Sequence, residues 1–356
     1  MTNRVEYIDI AKGISIILVA LFHSKLRSFA PDFINSMGLF RMPLFFFLSG
    51  VFFSTSTDIH AFLWKKSEVL LKPYFVTSLA IFIMAVILKE EHLAWQLKGI
   101  FYGNGDTIKW TPMWFLTHLF SVYLFTYFIF KFTNIQEKNT FYKCFFIIIL
   151  MVIGAHWINY FWHLKTTLLG KEYTLLGLPF SIDIILISSA FFITGGFLKK
   201  MVINFNPSLY MSLISVLVFF IISIFTDAHM DLNKRIYINP LLTTVGAVCG
   251  IYFIICISYY LNKTIVLRNT LLTLGQASLF ILIFHAFIDG KVNGYFIELG
   301  ENKLEFWFAV IAFFLSISIS VLIKTIVLKS KFLSLIYLPV RSKNTNIHYG
   351  NNITKA

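Results

Sequence analysis

Apolar residues recur along the chain in runs separated by short polar segments, and the first run is typical. From Ile14 to Phe22 only Ser15 interrupts it, and it ends on His23. Crossing ~30 Å of hydrocarbon takes about 20 residues of helix, and the pattern predicts ten such spans. They cover roughly 11–30, 37–55, 70–88, 113–131, 142–161, 176–198, 209–226, 240–261, 271–288 and 306–328. The expectation is an all-α, polytopic membrane protein with both termini cytoplasmic and one bundle domain over residues 1–340. Residues 341–356 form a polar, Asn-rich, basic segment expected to be a disordered cytoplasmic tail. The first run lacks a small-residue cleavage site and is expected to be a retained helix.

Composition agrees: 58% of the 356 residues are hydrophobic and 13% charged. Mean hydropathy is +0.77. The net charge of +13 raises the question of nucleic acid, but its distribution answers it. With a cytoplasmic N-terminus, the inner segments and the helix ends they join hold 18 of the 30 Lys and Arg and 5 of the 17 Asp and Glu. Basic residues gather on the cytoplasmic side, as membrane insertion demands, and no nucleic-acid partner is needed. Cys144, Cys249 and Cys256 fall within spans at no metal-ligand spacing and read as packing residues.

Ionisable groups inside apolar runs are costly and tend to face a bundle interior or cavity. Lys12 precedes His23 by three turns, ~16 Å of helix, on nearly one face. His118, His156 and His285 also lie within apolar runs at a similar expected depth, and four imidazoles there are expected to line one cavity. No pair of them has short ligand spacing and no carboxylate accompanies them, so no metal is expected. Arg41 opens the second span on the outer side, where nothing in the charge bias calls for a basic residue. It is expected to polarise an acyl carbonyl or bind an acceptor. Asp9 is expected to pair with Lys12, Asp289 to orient His285, and Ser49-Gly50 to permit close helix approach. Trp114 fits an outer aromatic belt. Ser278 shares a helix face with His285.

Five segments together resemble a known family: Asp9-Ile-Ala-Lys12-Gly13 leading to His23, FRMPLFFFLSG from Phe40 to Gly50, Lys65, Lys66 and Lys72-Pro73-Tyr74, Trp114-Phe115-Leu116, and Gly275-Gln-Ala-Ser278-Leu279 leading to His285. Their order and spacing are similar to those of the integral-membrane acyltransferase type 3 family, in particular its stand-alone sugar and O-antigen O-acetyltransferases. The resemblance implies transfer of an acyl group, most often acetyl, from cytoplasmic acetyl-CoA across a bacterial inner membrane. The implied acceptor is a hydroxyl of a surface glycan, such as that of lipopolysaccharide, or of its undecaprenyl-linked precursor. It implies a catalytic role for His23, and the family pattern includes a His at the position of His285; Arg41 joins them as a catalytic candidate on the charge argument above. It implies donor contacts for Lys12, Lys65, Lys66 and Lys72, and support from Asp9, Ser49, Trp114 and Ser278. Where the family has Arg, this chain has Lys at 12 and in the 65–72 segment; Lys keeps the charge for phosphate but lacks the bidentate fork. The competing class is a transporter using the same buried charges, but the two halves show no matching broken helices.

Overall fold

The computed structural model describes residues 5–168, 171–298 and 305–340. Among these, each of the ten apolar runs is helical. The bundle helices are α1 (Glu6–His23), α2 (Gly38–Val51), α3 (Ile59–Ile87), the short α4 (Leu93–Tyr102), α5 (Trp114–Thr133) and α6 (Thr140–Trp157). They continue with α7 (Ile185–Phe197), α8 (Leu209–Phe225), α9 (Pro240–Leu261), α10 (Ile265–Gln276), α11 (Ser278–Glu298), α12 (Glu305–Lys329) and α13 (Lys331–Tyr337). Among the described residues, eight helical stretches are long and apolar enough to cross a membrane. Of the other two runs, α8 is a shorter apolar helix, and α1 carries Glu6, Asp9 and Lys12 in its first two turns. The chain is an all-α polytopic membrane protein. On α8, Leu213, Leu217, Phe220 and Ile224 form an exposed stripe at the spacing of one helix face. Such a face suits a lipid surface.

Two details depart from the sequence pattern. The ninth run, expected as one span over 271–288, is two helices broken at Ala277: α10 ends at Gln276 and α11 starts at Ser278. Two antiparallel hairpins also stand in what were expected as plain loops. They are β1 (Trp162–Leu168) with β2 (Lys171–Leu176), and β3 (His229–Asp231) with β4 (Ile236–Ile238). The expected tail, 341–356, lies outside the described residues.

The motif glycines explain why the site-bearing helices sit where they do. A Cβ at Gly13 would overlap the Leu271 carbonyl oxygen, and one at Gly275 would overlap the Asp9 carbonyl oxygen, so α1 and α10 meet backbone to backbone. The same reciprocal contact joins Gly50 to Phe192 and Gly195 to Phe47, locking α2 on α7. Small residues make such approaches possible where lipid offers no hydrophobic drive between helices. With α10 clamped to the first half of α1, the chain turns at Ala277 and α11 runs beside the second half of α1. The Cys residues follow this packing: Cys144 is exposed, Cys249 partly buried and Cys256 buried.

Candidate active site

His23 is the last residue of α1. Ser24 leaves helical geometry (φ −87°, ψ 161°) and its hydroxyl donates to the Leu21 carbonyl at 2.8 Å, which ends the helix. His23 is thereby held at the end of a rigid element, half-buried. It makes no side-chain hydrogen bond with the described residues; its ring neighbours are Phe22 at 5.1 Å and His285 at 5.4 Å between centroids.

His285 is 1% exposed. Its Nδ1 lies 2.6 Å from the Ile281 carbonyl oxygen. A carbonyl only accepts, so Nδ1 carries the proton and Nε2 is left with a lone pair. That Nε2 is buried and has no partner among the described residues. Asp289, one turn on, does not orient His285 as expected. Its Oδ2 accepts from the Lys25 backbone N–H at 3.2 Å and from Asn293 Nδ2 at 3.0 Å, which ties α11 to the turn after His23. The nearer Ile281 carbonyl outcompeted it for the imidazole.

Arg41 is 5% exposed, and its Nη1 has no hydrogen-bond partner among the described residues. Its guanidinium lies 3.6 Å from the centroid of Phe22, and that of Arg27 lies 4.0 Å from the same centroid. Both guanidiniums thus lie against the one Phe22 ring. Each cation faces ring electrons instead of lipid. Arg27 is further held by Asn35, whose Oδ1 accepts from Nε at 2.8 Å. Sequence reasoning passed over Arg27. The signal that marked Arg41, a basic residue on the side without basic bias, marks Arg27 equally.

The other expected residues separate into two groups. Lys12 pairs with Asp9 at 3.6 Å and lies 5.4 Å over the Phe52 ring, at the opposite end of α1 from His23. Lys66 stands 3.3 Å over Tyr123, whose ring meets Phe53, so Lys12 and Lys66 flank the same Phe52-Phe53 corner. Lys65 is exposed. Lys72 is engaged elsewhere: its Nζ bonds Glu68 Oε2 and the Leu338 carbonyl, both at 2.8 Å. Ser49 donates into its own helix, to the Phe45 carbonyl at 2.8 Å. Ser278 is the first residue of α11, half-buried.

The four intramembrane imidazoles do not line one cavity. His156 is exposed and bonds its own helix at Val152. His118 is fully buried against Ser188 Oγ at 2.8 Å and the Phe180 carbonyl at 3.3 Å, so both ring nitrogens are occupied in packing. Trp114 is no belt residue either; it is 4% exposed, with its ring 5.5 Å from His118. Belt and interior share the same residue preference, and only the packing of α5 distinguishes them.

Over this end of the bundle the two hairpins and the α3–α5 connection form a polar cap. Arg235 and Asp183, both side chains fully buried, pair through two hydrogen bonds at 2.7 and 3.2 Å. The Arg235 guanidinium also lies 4.5 Å over Trp162. Tyr102 donates to the Gly177 carbonyl and Asn104 to that of Leu176. Burial, with the nearby Asp183 charge, pushes the Tyr102 hydroxyl above its usual pKa. Gly38 of α2 meets the Met230 carbonyl of β3, which seats this cap beside Arg41.

The chemistry available is therefore an imidazole that makes no hydrogen bond with the described residues, a second imidazole with a directed lone pair, and a buried cation with a spare N–H. That set suits proton transfer and stabilisation of a developing oxyanion. A family model described as an acyltransferase domain matches residues 5–325 of the chain. The chain belongs to the acyltransferase type 3 family. No curated protein and no solved structure matches it. As a membrane acyltransferase, it uses helix packing to gather imidazoles and guanidinium that lie far apart in sequence. Among the described residues of this acyltransferase, no group of three or more His, Cys, Asp or Glu is arranged to hold a metal ion.

Proposed function

We propose that this acyltransferase moves an acetyl group from cytoplasmic acetyl-CoA to a hydroxyl of a cell-surface polysaccharide, or of its undecaprenyl-linked precursor, in a bacterial inner membrane. The observation that carries the reading is the meeting of His23, His285 and Arg41 at one end of the bundle, two of them with buried, unpartnered polar atoms. Lys12, in the first two turns of α1, and Lys66, on α3, stand by Phe52 and Phe53 at the far end of α2.

A sugar hydroxyl is a weak nucleophile, so His23 takes its proton as the oxygen attacks the thioester carbonyl. His285 Nε2 accepts from the imidazolium that forms on His23, as an orienting partner does in a catalytic triad. Arg41 donates its spare Nη1–H to the oxyanion. When the C–S bond breaks, the CoA thiolate leaves and the proton held by His23 follows it. Lys12 and Lys66 hold the phosphate-rich part of the donor at the cytoplasmic end. The pantetheine arm then runs the ~16 Å of helix that separates Lys12 from His23.

The test compares cells expressing the wild type with cells expressing His23→Ala at equal protein levels. Surface glycan is analysed by mass spectrometry before and after mild base. The expected result is alkali-labile acetyl that the variant lacks. Glycan acetylated to the same extent in both removes His23 from the mechanism.

A further inference from the structure

Beside the catalytic end, where α3 and α4 meet the segment leading into α5, lies a cavity of about 260 Å³. Its walls mix two kinds of surface. Trp95, Trp110, Ile81 and Phe82 line it with apolar and aromatic side chains, and Ser78, Gln96 and Asp106 with polar ones. Ser78 lines the cavity and is 4% exposed; its hydroxyl lies beside the Tyr74 side chain and makes no hydrogen bond of ordinary geometry among the described residues. Buried hydroxyls are seldom left so unless a water or a ligand meets them.

The charged groups around the cavity are already matched. Lys109 Nζ contacts both Glu90 carboxylate oxygens at 2.6 Å, and Asp106 Oδ1 takes Lys234 Nζ at 2.9 Å. Gln96 donates from Nε2 to Glu90 at 3.2 Å, which turns its carbonyl oxygen loose as an acceptor. What remains free is neutral or accepting: the Gln96 carbonyl, Asp106 Oδ2, the Ser78 hydroxyl and the two indole N–H groups. A phosphate or carboxylate finds no unpaired cation there, and an alkyl chain would strand the polar atoms. A pyranose ring fits both surfaces. Its C–H face lies on indole, and its edge hydroxyls donate to amide, carboxylate and serine oxygens.

The cavity is also joined to the catalytic helix. The Trp110 ring stacks on Phe287 at 4.7 Å and meets Phe284 at 5.8 Å, and both belong to α11 within two residues of His285. We infer that this cavity is a sugar subsite, holding one neutral pyranose unit of the acceptor glycan while a neighbouring hydroxyl reaches His23. The inference rests on the proposed glycan acceptor but is tested apart from it.

Full-length protein in nanodiscs is titrated with neutral methyl pyranosides (gluco, galacto, manno, rhamno and N-acetylglucosamino) while indole fluorescence is followed. At least one is expected to change the signal saturably. Trp95→Ala and Ser78→Ala should each weaken that binding by about tenfold, the loss of one good contact. Trp95 is 55% exposed, so its replacement disturbs little packing. Failure of every glycoside to bind the wild type overturns the subsite, as does quenching by brominated phospholipid chains in place of sugars. Unchanged binding in both variants overturns it too. An oligosaccharide that carries the bound sugar unit is then offered with acetyl-CoA; binding without acetyl transfer keeps the subsite and counts against the proposed activity instead.

Discussion

His285 faces His23 at 5.4 Å between ring centroids, with its Nδ1 committed to the Ile281 carbonyl and its Nε2 free. The two rings come from helices at opposite ends of the sequence, and only one of them is fully buried. The buried one has a fixed tautomer, and the half-buried one is free to turn toward substrate. That division of labour suits a base and its orienting partner.

If the imidazoles act as a unit, His23→Ala and His285→Ala each lower the rate of acetyl transfer by about 10²–10⁴-fold, and the double variant is no slower than the worse single. Initial rates in proteoliposomes supplied with labelled acetyl-CoA measure this. Multiplicative losses would mean that the two histidines serve separate steps.

Arg41 is expected to tolerate little. Arg41→Gln removes the charge and Arg41→Lys loses the plane that stacks on Phe22, so both should cost about 10²–10³ in kcat. Arg27→Gln should cost less, because Arg27 is already held by Asn35. Steady-state kinetics on the three variants at matched folded fraction decide it. Full activity in Arg41→Gln would rule out oxyanion binding.

The Asp183–Arg235 pair is a stability element. Asp183→Asn leaves a fully buried guanidinium short of its counter-charge and is expected to cost about 3–5 kcal/mol. Thermal unfolding in detergent reads the loss, and protection of the β3–β4 hairpin from hydrogen exchange should fall with it.

Gly50→Ala forces a Cβ into the Phe192 backbone, where nothing flexible can yield. The expected cost is about 1–3 kcal/mol, with activity falling as α2 moves Arg41. Gly290 is the control, since a Cβ there meets nothing within 4 Å. Gly290→Ala should leave the unfolding temperature unchanged or raise it.

Hydrogen bonds from Lys109 and Gln96 hold the Glu90 carboxyl below the usual glutamate range. A depressed folded pKa gives stability that is complete above the unfolded value and disappears as pH falls through the folded one. The Trp95–Trp110 cavity should therefore keep its fluorescence at neutral pH and change it only in acid below the usual glutamate range. Glu90→Gln should abolish that acid transition; a transition that persists would place its origin elsewhere.

Much of this was legible in the residues. Hydropathy set the class, because a backbone in hydrocarbon must satisfy its own hydrogen bonds and runs of about 20 apolar residues do so as helices. Helical period placed Lys12 and His23 at opposite ends of one helix, and motif spacing carried the family. The Asp9–Lys12 pair was readable too, since it is a neighbour along one helix. The break at Ala277 was hidden because both halves are apolar. His118, Trp114 and Asp289 misled because a polar or aromatic residue in an apolar run looks the same whether it serves packing or chemistry.

The sequence by itself determined what the membrane sees: which segments are helical, how long they are, and where ionisable residues fall along each. Those properties depend on neighbours a few positions apart. Tertiary structure alone decided which ionisable residues meet. Backbone contacts at Gly13 and Gly275 aim α11 at α1, and those at Gly50 and Gly195 seat α2 on α7. A few ångströms of helix approach thus bring His285 to His23, while His118 is closed off by Ser188. No local pattern encodes that distance, because it is a property of two surfaces together.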